Sequence, residues 1–499
     1  MNIAMILEMA ADTYGDRVAV TDGHTTLTYT ELRQRALAAA ELINGNGSRN
    51  TALLDVNSTA VPVALFGSAL AGAPYAPVNY RLTNDELSDL LDRITPATLV
   101  TTDDAFAGLT APDGIILTDR TRLLADDGPE RAWPDLSGDG SAVAVQLFTS
   151  GTTGKPKAAI LRHENVVSYI LGTVEFASAE EGDTSLISVP PYHIAGVSQV
   201  LSATYAGRRI VFLENFEARA WLDLAAAERA TNAFVVPTML VRIIEELANG
   251  QAGDAWDLSA LKGISFGGGK MPVAVIERAM ALLPQVDFTN AYGLTETSAT
   301  ICILTPEDHR DAAASTEPHI RRRLGSVGRA IATVEIEIRG EDGAVLPPGA
   351  PGLIHARGAQ VAGEYLGTGS TLDADGWFLT RDRGFLDEDG FLFLEGRDDD
   401  VIVRGGENIS PGEIEDVLLA HPAILDAAAV AVADETWGEA IGVAIVVRPG
   451  QAVTEDAVVD WVRTRLRSSR VPSVVQFRAE LPYNEMGKVL RRVIRGEMA

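Results

Sequence analysis

Apolar residues along the chain gather in two ways. Short β-branched runs at residues 97–102 (ATLVTT), 142–150 (AVAVQLFTS), 184–189, 209–213 and 232–237 have the length and composition of buried strands. Between several of them apolar positions recur at helical spacing, as in residues 27–43 (LTYTELRQRALAAAELI), where Thr30 is the expected N-cap. Strands that alternate with helices predict crossover units and a mainly parallel sheet. After residue 325 the texture changes. VEIEIRGEDGAVLPPGAPGLIHARG alternates between turn signals, which predicts an antiparallel or barrel-like part. From residue 398 onward the pattern reads helix, strand, strand, helix, a compact α+β unit. The expected fold class is therefore α/β, with a large N-terminal domain of mixed sheets and helices plus a barrel-like part, and a small α+β C-terminal domain. No period of repeat length recurs, which excludes a solenoid.

Two uncharged stretches, residues 56–80 and 184–207, are long enough to resemble membrane spans, but Pro62, Pro74 and Pro77 and many small residues break up the first. A buried helix followed by a loop is the expectation for both. At 499 residues, 46% of them apolar and 22% charged, the chain has the composition of a globular protein of several folding units. Its formal net charge of −28 argues against a general nucleic-acid surface, which needs a basic field, and against docking on anionic lipid. Cys302 is the only cysteine, so an intramolecular disulfide and a cysteine metal cluster are both excluded. The N-terminus lacks the basic start of a signal peptide, and a cytoplasmic location is expected.

Against this acidity one segment stands out. TSGTTGKPKA, from Thr149 to Ala158, packs hydroxyls, two glycines and two lysines just after a predicted strand. Such a loop can turn its N–H groups inward around phosphate oxygens, with Lys155 and Lys157 adding charge. A flexible surface turn is the alternative. The Walker pattern fails, because Thr149 stands at its first glycine and Pro156 follows the lysine. Further on, NAYGLTETS offers an aromatic face in Tyr292 and a carboxylate in Glu296 between Thr295 and Thr297. An aromatic ring can stack on a base, and a carboxylate can hold a magnesium ion that bridges phosphates. GWFLTRDRG places Asp382 in a polar turn, Arg397 stands just ahead of the smaller domain, and Lys488 follows Gly487 near the end. From Trp461 onward nine Lys or Arg face three Asp or Glu, a local reversal of the global charge.

In this order the motifs TSGTTGKPK, YGLTET, GRDDDVIVRGGENISPGEIE and NEMGK resemble the adenylate-forming superfamily, in its acyl-CoA synthetase branch, over almost the whole length. The resemblance implies an N-terminal AMP-binding domain over residues 1–397, a hinge at 398–400 with Asp399 at its centre, and a mobile C-terminal domain over 401–499. It implies ATP-dependent conversion of a carboxylic acid to an acyl-adenylate, release of pyrophosphate, and transfer of the acyl group to coenzyme A. An acyl-AMP ligase that loads a separate carrier protein is the alternative. ATP, Mg2+ and coenzyme A are the implied cofactors; the implied partners are a small carboxylic acid and, in the alternative, a carrier protein. By the same resemblance Thr149, Ser150, Gly151, Thr152, Thr153, Gly154 and Lys155 would cover the β- and γ-phosphates. Gly267, Gly268, Asn290, Ala291, Tyr292 and Gly293 would surround the adenine, with Tyr292 stacked on it. Thr295 would contact the α-phosphate, Glu296 would bind the metal, and Asp382 and Arg397 would hold the ribose. Lys488 would bridge the substrate carboxylate and the α-phosphate. Arg404, Gly405 and Gly406 would line the thiol channel.

Two departures from the family's pattern matter. Thr380-Arg381-Asp382 stands where Thr-Gly-Asp is usual, so Arg381 either alters ATP affinity or adds charge near the nucleotide. Gly269 and Lys270 stand where Ala-Pro is frequent, which would widen the acyl pocket; Lys270 is expected to face solvent, with a polar acyl group as its other candidate partner. His193, where amino-acid-activating relatives have an aspartate, disfavours an amino-acid substrate. With Gly196, Gly269 and Ser298 it is assigned to the acyl pocket, a packed hydrogen-bonded ring being the other reading.

Overall fold

The structure, a computed structural model, describes residues 1–102, 111–125, 128–136, 140–149, 157–250, 256–434, 436–484 and 487–498. The expected buried strands form: Ala97–Thr101, Val143–Thr149, Thr184–Ile187, Arg209–Phe212 and Asn232–Val235. Each carries apolar side chains on both faces because helices cover both sides of its sheet, which is why these runs read as continuous rather than alternating.

Two sheets make the large body. In the first, nine described strands run in the order Arg329–Ala330, Ala299–Leu304, Asp287–Leu294, Gly263–Gly267, Asn232–Val235, Thr184–Ile187, Arg209–Phe212, Val18–Thr21, Thr26–Thr28. Its centre is parallel and its edges are antiparallel. The second, of eight described strands, has a parallel part around Asn50–Leu53 and an antiparallel part around Lys157–Arg162. The uncharged stretch at 56–80 holds the helix Ala60–Ala71, buried along most of its length, followed by the strand Tyr75–Pro77. A helix that is apolar all round belongs inside a core. Among the described residues no helix is long and apolar enough to cross a membrane.

The N-cap expectation needs a correction. The helix runs Tyr29–Gly45 and its cap is Thr28, one residue before it, not Thr30. Thr28 Oγ1 accepts from the Glu31 N–H at 3.2 Å while Glu31 Oε2 accepts from the Thr28 N–H at 2.7 Å. That reciprocal pair satisfies two N–H groups that the first turn leaves open, an arrangement worth about 1 kcal/mol.

The antiparallel part is a sheet of four described strands, Val334–Arg339, Gly352–Gly358, Phe378–Leu386 and Leu392–Arg397. It packs its own core of Val334, Ile338, Ile354, Phe378 and Leu392 against Tyr292, Ile301 and Cys302 of the body. The small domain follows the expected order, with helix Pro411–Leu419, strands Ile424–Asp434 and Gly438–Val447, and helix Glu455–Arg463. Further elements beyond that expectation complete it, and strands Ile402–Arg404 and Glu407–Ile409 extend one edge of its sheet. Strand Val474–Arg478 joins the sheet in parallel, and helix Arg491–Met498 covers its second face. Ala427, Ala429 and Ala431 therefore pack with the first pair of helices, while Ala428, Val430 and Val432 pack with Ile494 of the last.

Candidate active site

Of the candidate residues of the body, Tyr292 and Arg397 lie near strand ends, whereas Asp382 lies in the middle of the strand Phe378–Leu386 and not in the polar turn expected for it. Tyr292 lies late in the strand Asp287–Leu294 and is buried, with its hydroxyl donating to Asp382 Oδ2 at 2.6 Å. Asp382 faces Arg397 across a strand pair, and Arg397 Nε lies 3.1 Å from Asp382 Oδ1. Arg397 also donates to the Thr380 carbonyl at 3.1 Å. Residues far apart in sequence thus form one connected group. A carboxylate has about four lone-pair positions, so Asp382 can still accept from two ligand hydroxyls.

Directly after this strand the chain makes the 3-10 turn Thr295–Thr297. Thr297 is buried and pins the turn, accepting from the Leu294 N–H at 3.0 Å with its hydroxyl 2.9 Å from the Ala299 carbonyl. Gly293 is required here, because a Cβ would lie 1.8 Å from the Ala299 oxygen. The turn presents Glu296, whose Oε1 accepts from the Tyr365 hydroxyl at 2.6 Å. Burial and the neighbouring carboxylate together push the Tyr365 phenol well up, so it stays a donor. No hydrogen bond or ion pair with the described residues engages Glu296 Oε2. One free hard carboxylate oxygen could join the shell of a Mg2+ ion, which takes most of its ligands from water and substrate oxygens. Among the described residues no group of three or more His, Cys, Asp or Glu forms an all-protein metal cage.

From the small domain comes Lys488. Its backbone is fixed in a tight loop: Lys488 N–H donates to Asn484 Oδ1 at 2.8 Å, and the Gly487 N–H donates to the Asn484 carbonyl at 2.9 Å. Gly487 has φ +67°, and a Cβ on it would lie 2.4 Å from Thr238 Oγ1, so only glycine lets the loop lie this close to the body. The ammonium is held below the usual lysine range, first by burial and then by the Arg397 charge, with Asp382 and Asp400 acting the other way. Lys488 is thus brought to the Tyr292–Asp382–Arg397 group. A cavity of about 200 Å³ opens beside it, lined by Ser188, Pro190, Thr238 and Met239 of the body and by Tyr483 and Asn484 of the tail.

Other expected residues fall as follows. Thr149 ends its strand opposite Lys157, while Ser150, Gly151, Thr152, Thr153, Gly154 and Lys155 lie outside the described residues. Gly267 pairs with Ala291 on the neighbouring strand, with Gly268 after it at φ +86°. The Asn290 side chain is taken by the Ser326 carbonyl at 3.1 Å. His193 caps the helix Ile194–Ala206, with its ring 4.6 Å from Tyr192. Burial, helped by Arg81, pushes its pKa down to about 4, so it presents a neutral imidazole. Gly196 packs against the Pro190 carbonyl, where a Cβ would lie at 2.8 Å. Ser298 is buried at φ +57°, and Gly269 faces the Gly487 carbonyl of the tail.

Arg404 donates to the Ser469 carbonyl at 2.9 Å, within the small domain, and Gly405 abuts Trp437. Gly406 follows at φ +82°. Asp399 sits mid-turn in Asp398–Asp400, between Asp398, paired with Arg383 at 3.2 Å, and Asp400, 3.6 Å from Arg491. Lys270 is exposed, as expected for a solvent-facing lysine, and it also meets the small domain, 2.7 Å from Asp416 Oδ2 and 3.0 Å from the Gly412 carbonyl. Asp416 and Gly412 lie on a helix remote in sequence, so spacing held no sign of them. Tyr365 was likewise missed, 69 positions from the carboxylate it serves.

Comparison with known proteins agrees with this geometry. The family described as AMP-binding enzyme matches residues 7–366, and its C-terminal domain family matches residues 413–488. The chain is 32% identical to the fatty acid–[acyl-carrier-protein] ligase ScoC of Streptomyces coeruleorubidus, over 94% of this chain and 91% of that one. It is 30% identical to the 2-succinylbenzoate–CoA ligase of Bacillus mycoides (strain KBAB4), over 96% and 95%. Among solved structures, the o-succinylbenzoate CoA synthetase MenE of Bacillus subtilis, in complex with its acyl-adenylate intermediate, superposes with a TM-score of 0.83 at 26% identity, covering 98% and 97% of the two chains.

Proposed function

We propose, for a chain that belongs to the AMP-binding enzyme family and is an ATP-dependent acid–thiol ligase, an assignment of its own residues to the two half-reactions. In the first, a carboxylate oxygen attacks the α-phosphorus of ATP, the bond to the β-phosphate oxygen breaks, and pyrophosphate leaves. In the second, a thiol sulfur attacks the acyl carbon and AMP leaves with the oxygen that joined them. Activation is needed because a free carboxylate would have to expel oxide.

The observation that carries the assignment is the approach of buried Lys488, from the tail, to Asp382 and Arg397 of the body, where Tyr292 is hydrogen-bonded to Asp382. Two anions must meet in the first step, and a cation already desolvated between them stabilises the developing charge far more than one in water. Lys488 neutralises the carboxylate and the α-phosphate. Tyr292 lies against the base, Asp382 and Arg397 hold the ribose, and Thr295 donates to the α-phosphate. Thr149, with Ser150, Gly151, Thr152, Thr153, Gly154 and Lys155, covers the outer phosphates. Glu296, oriented by Tyr365, would hold Mg2+, which when bound shields the phosphate charges.

His193, Gly196, Gly269 and Ser298 border the acid, and the neutral ring of His193 suits an uncharged portion of it. Residues 1–397 form the nucleotide-binding part and 401–499 the moving part, with the hinge at 398–400 around Asp399. Rotation there would withdraw Lys488 and bring Arg404, Gly405 and Gly406 toward the thiol. Coenzyme A is the assigned acceptor; the likeness to ScoC favours a carrier-protein thiol as the second reading. The buried single thiol, Cys302, and the absence of disulfides fit a cytoplasmic enzyme.

The deciding experiment incubates the enzyme with ATP, Mg2+ and a panel of fatty and aryl acids, and follows pyrophosphate release with and without coenzyme A or a phosphopantetheinylated carrier protein. Acid-dependent pyrophosphate and an acyl-CoA product are expected. Thioester on the carrier alone would move the assignment to the second reading, and no acid-dependent pyrophosphate with any acid would end it.

A further inference from the structure

Arg381 stands in a β-bulge. Leu353 pairs with Arg383 and His355 with Leu379, so a single residue of one strand, Ile354, opposes residues 380–382 of the other. Bulges of this kind re-aim a side chain at the edge of a site. The residues on either side are pinned. Thr380 donates to the Ile354 carbonyl at 2.9 Å and accepts from the Asp382 N–H at 3.1 Å, and Asp382 is held by Tyr292 and Arg397. Between them Arg381 adopts φ +61°, a left-handed conformation that burdens an L-residue and leaves glycine unstrained. The strain throws its side chain outward while Thr380 is buried.

Two groups near the Glu296 turn bear on it. The Arg381 charge acts on Tyr365, the phenol that donates to Glu296. Lys157 Nζ stands 5.6 Å from the same ring. Yet Arg381 has no hydrogen bond or ion pair with any described residue. In a chain of 69 acidic against 41 basic residues, a guanidinium without a carboxylate partner, on a strained backbone, marks a position kept for another anion.

We propose that Arg381 is a nucleotide-binding residue that contacts the phosphate chain of ATP beside Glu296. The proposal rests on the ATP-dependent reading above and adds to it a contact that the usual glycine at this position cannot make. The bulge aims the guanidinium, and its fork of donors matches phosphate oxygens.

The test compares Arg381→Gly, Arg381→Ala and Arg381→Lys with wild type, by direct calorimetric titration with ATP and by pyrophosphate release at saturating acid. Loss of one exposed charge-assisted contact predicts ATP binding about five- to tenfold weaker in the Gly and Ala variants, with kcat within about tenfold and the KM for the acid unchanged. Arg381→Lys should recover part of the affinity, and added salt should shrink the difference between wild type and the Ala variant. Arg381→Gly should also melt at a higher temperature than wild type without ligand, because the strain is gone. If Ala and Gly bind ATP as wild type does, or if Lys is as weak as Ala, the contact does not exist even though the enzyme still releases pyrophosphate. If wild type itself neither binds ATP nor releases pyrophosphate, the ATP-dependent reading falls, and this proposal with it.

Discussion

Two groups of polar side chains, one in the body and one in the tail, use similar residues to opposite ends. In the tail, Arg491 grips both oxygens of the buried Glu415, at 2.6 and 2.9 Å, and Glu415 also accepts from the Ala429 N–H. Asp426 accepts from Tyr483 at 2.7 Å with one oxygen and from the Ala427 N–H with the other. Both carboxylates are fully engaged within the small domain. In the cleft the balance is reversed. Glu296 is engaged through one oxygen only, and neither the Lys488 ammonium nor the Arg381 guanidinium is paired with a described residue. Internal pairing makes the tail network a scaffold, whereas incomplete pairing leaves the cleft with groups free to meet a ligand. One hypothesis follows: damage to the first should cost stability, and damage to the second should cost activity.

The largest effect belongs to the tail. Arg491→Met leaves Glu415 as a buried anion without its partner, which should cost about 3–5 kcal/mol. Denaturant titration of the full chain should show the small domain unfolding first, at a lower midpoint. A midpoint equal to that of wild type would mean that the Glu415 carboxylate was never dependent on this pairing. Next comes Lys488→Ala, expected to lower the adenylation rate by about 10²–10³-fold, the usual size for one group that meets developing charge, with an unchanged melting temperature. Thermal loss as large as the rate loss would erase the distinction between scaffold and cleft. Smaller again is Asp382→Asn, which keeps the shape but removes the charge that pairs with Arg397 and that, in the proposed assignment, holds the ribose. The KM for ATP should rise about tenfold, with the acid KM left alone, for one charge-assisted contact.

These predictions depend on residues that were legible in the sequence to different degrees. The parallel strands could be read because a strand covered on both faces becomes an uninterrupted apolar run. Tyr292, Glu296, Asp382, Arg397 and Lys488 could be singled out because each is a polar or aromatic residue in a short polar stretch after an apolar run, although Tyr292, Asp382 and Arg397 belong to strands and not to turns. What spacing could not give was pairing across distance. Tyr365 reaches Glu296, Lys270 reaches Asp416, and Arg491 reaches Glu415 only because separate elements fold together. Thr28 was misjudged for a local reason: the pattern T-x-x-E begins at Thr28, and Thr30 has no acid three residues on. Arg381 was visible as an odd residue, but the bulge that aims it exists only in the pairing of two strands, Gly352–Gly358 and Phe378–Leu386. Helix Arg491–Met498 was overlooked because half of its residues are charged and Ile494 alone is buried.

The finest separation of scaffold from cleft comes from pH. In the proposed assignment Lys488 must carry its proton to neutralise a carboxylate and a phosphate. Its pKa lies below that of an ordinary lysine, so it is protonated at low pH and loses the proton as pH rises through the depressed value. The dependence of kcat/KM on pH, which reports the free enzyme, should therefore fall on the alkaline side earlier than a normal lysine would allow. Asp400 is one of the two carboxylates that hold this pKa up, and it also lies 3.6 Å from Arg491, so it belongs to both groups at once. Asp400→Asn removes an anion that favours the ammonium, and the alkaline limb should move to lower pH. Its ion pair with Arg491 is long, and Arg491 keeps its two bonds to Glu415, so the melting temperature should barely change. A limb that stays in place while stability drops would assign Asp400 to the scaffold alone, and the tail would then influence the chemistry only by carrying Lys488 into the cleft.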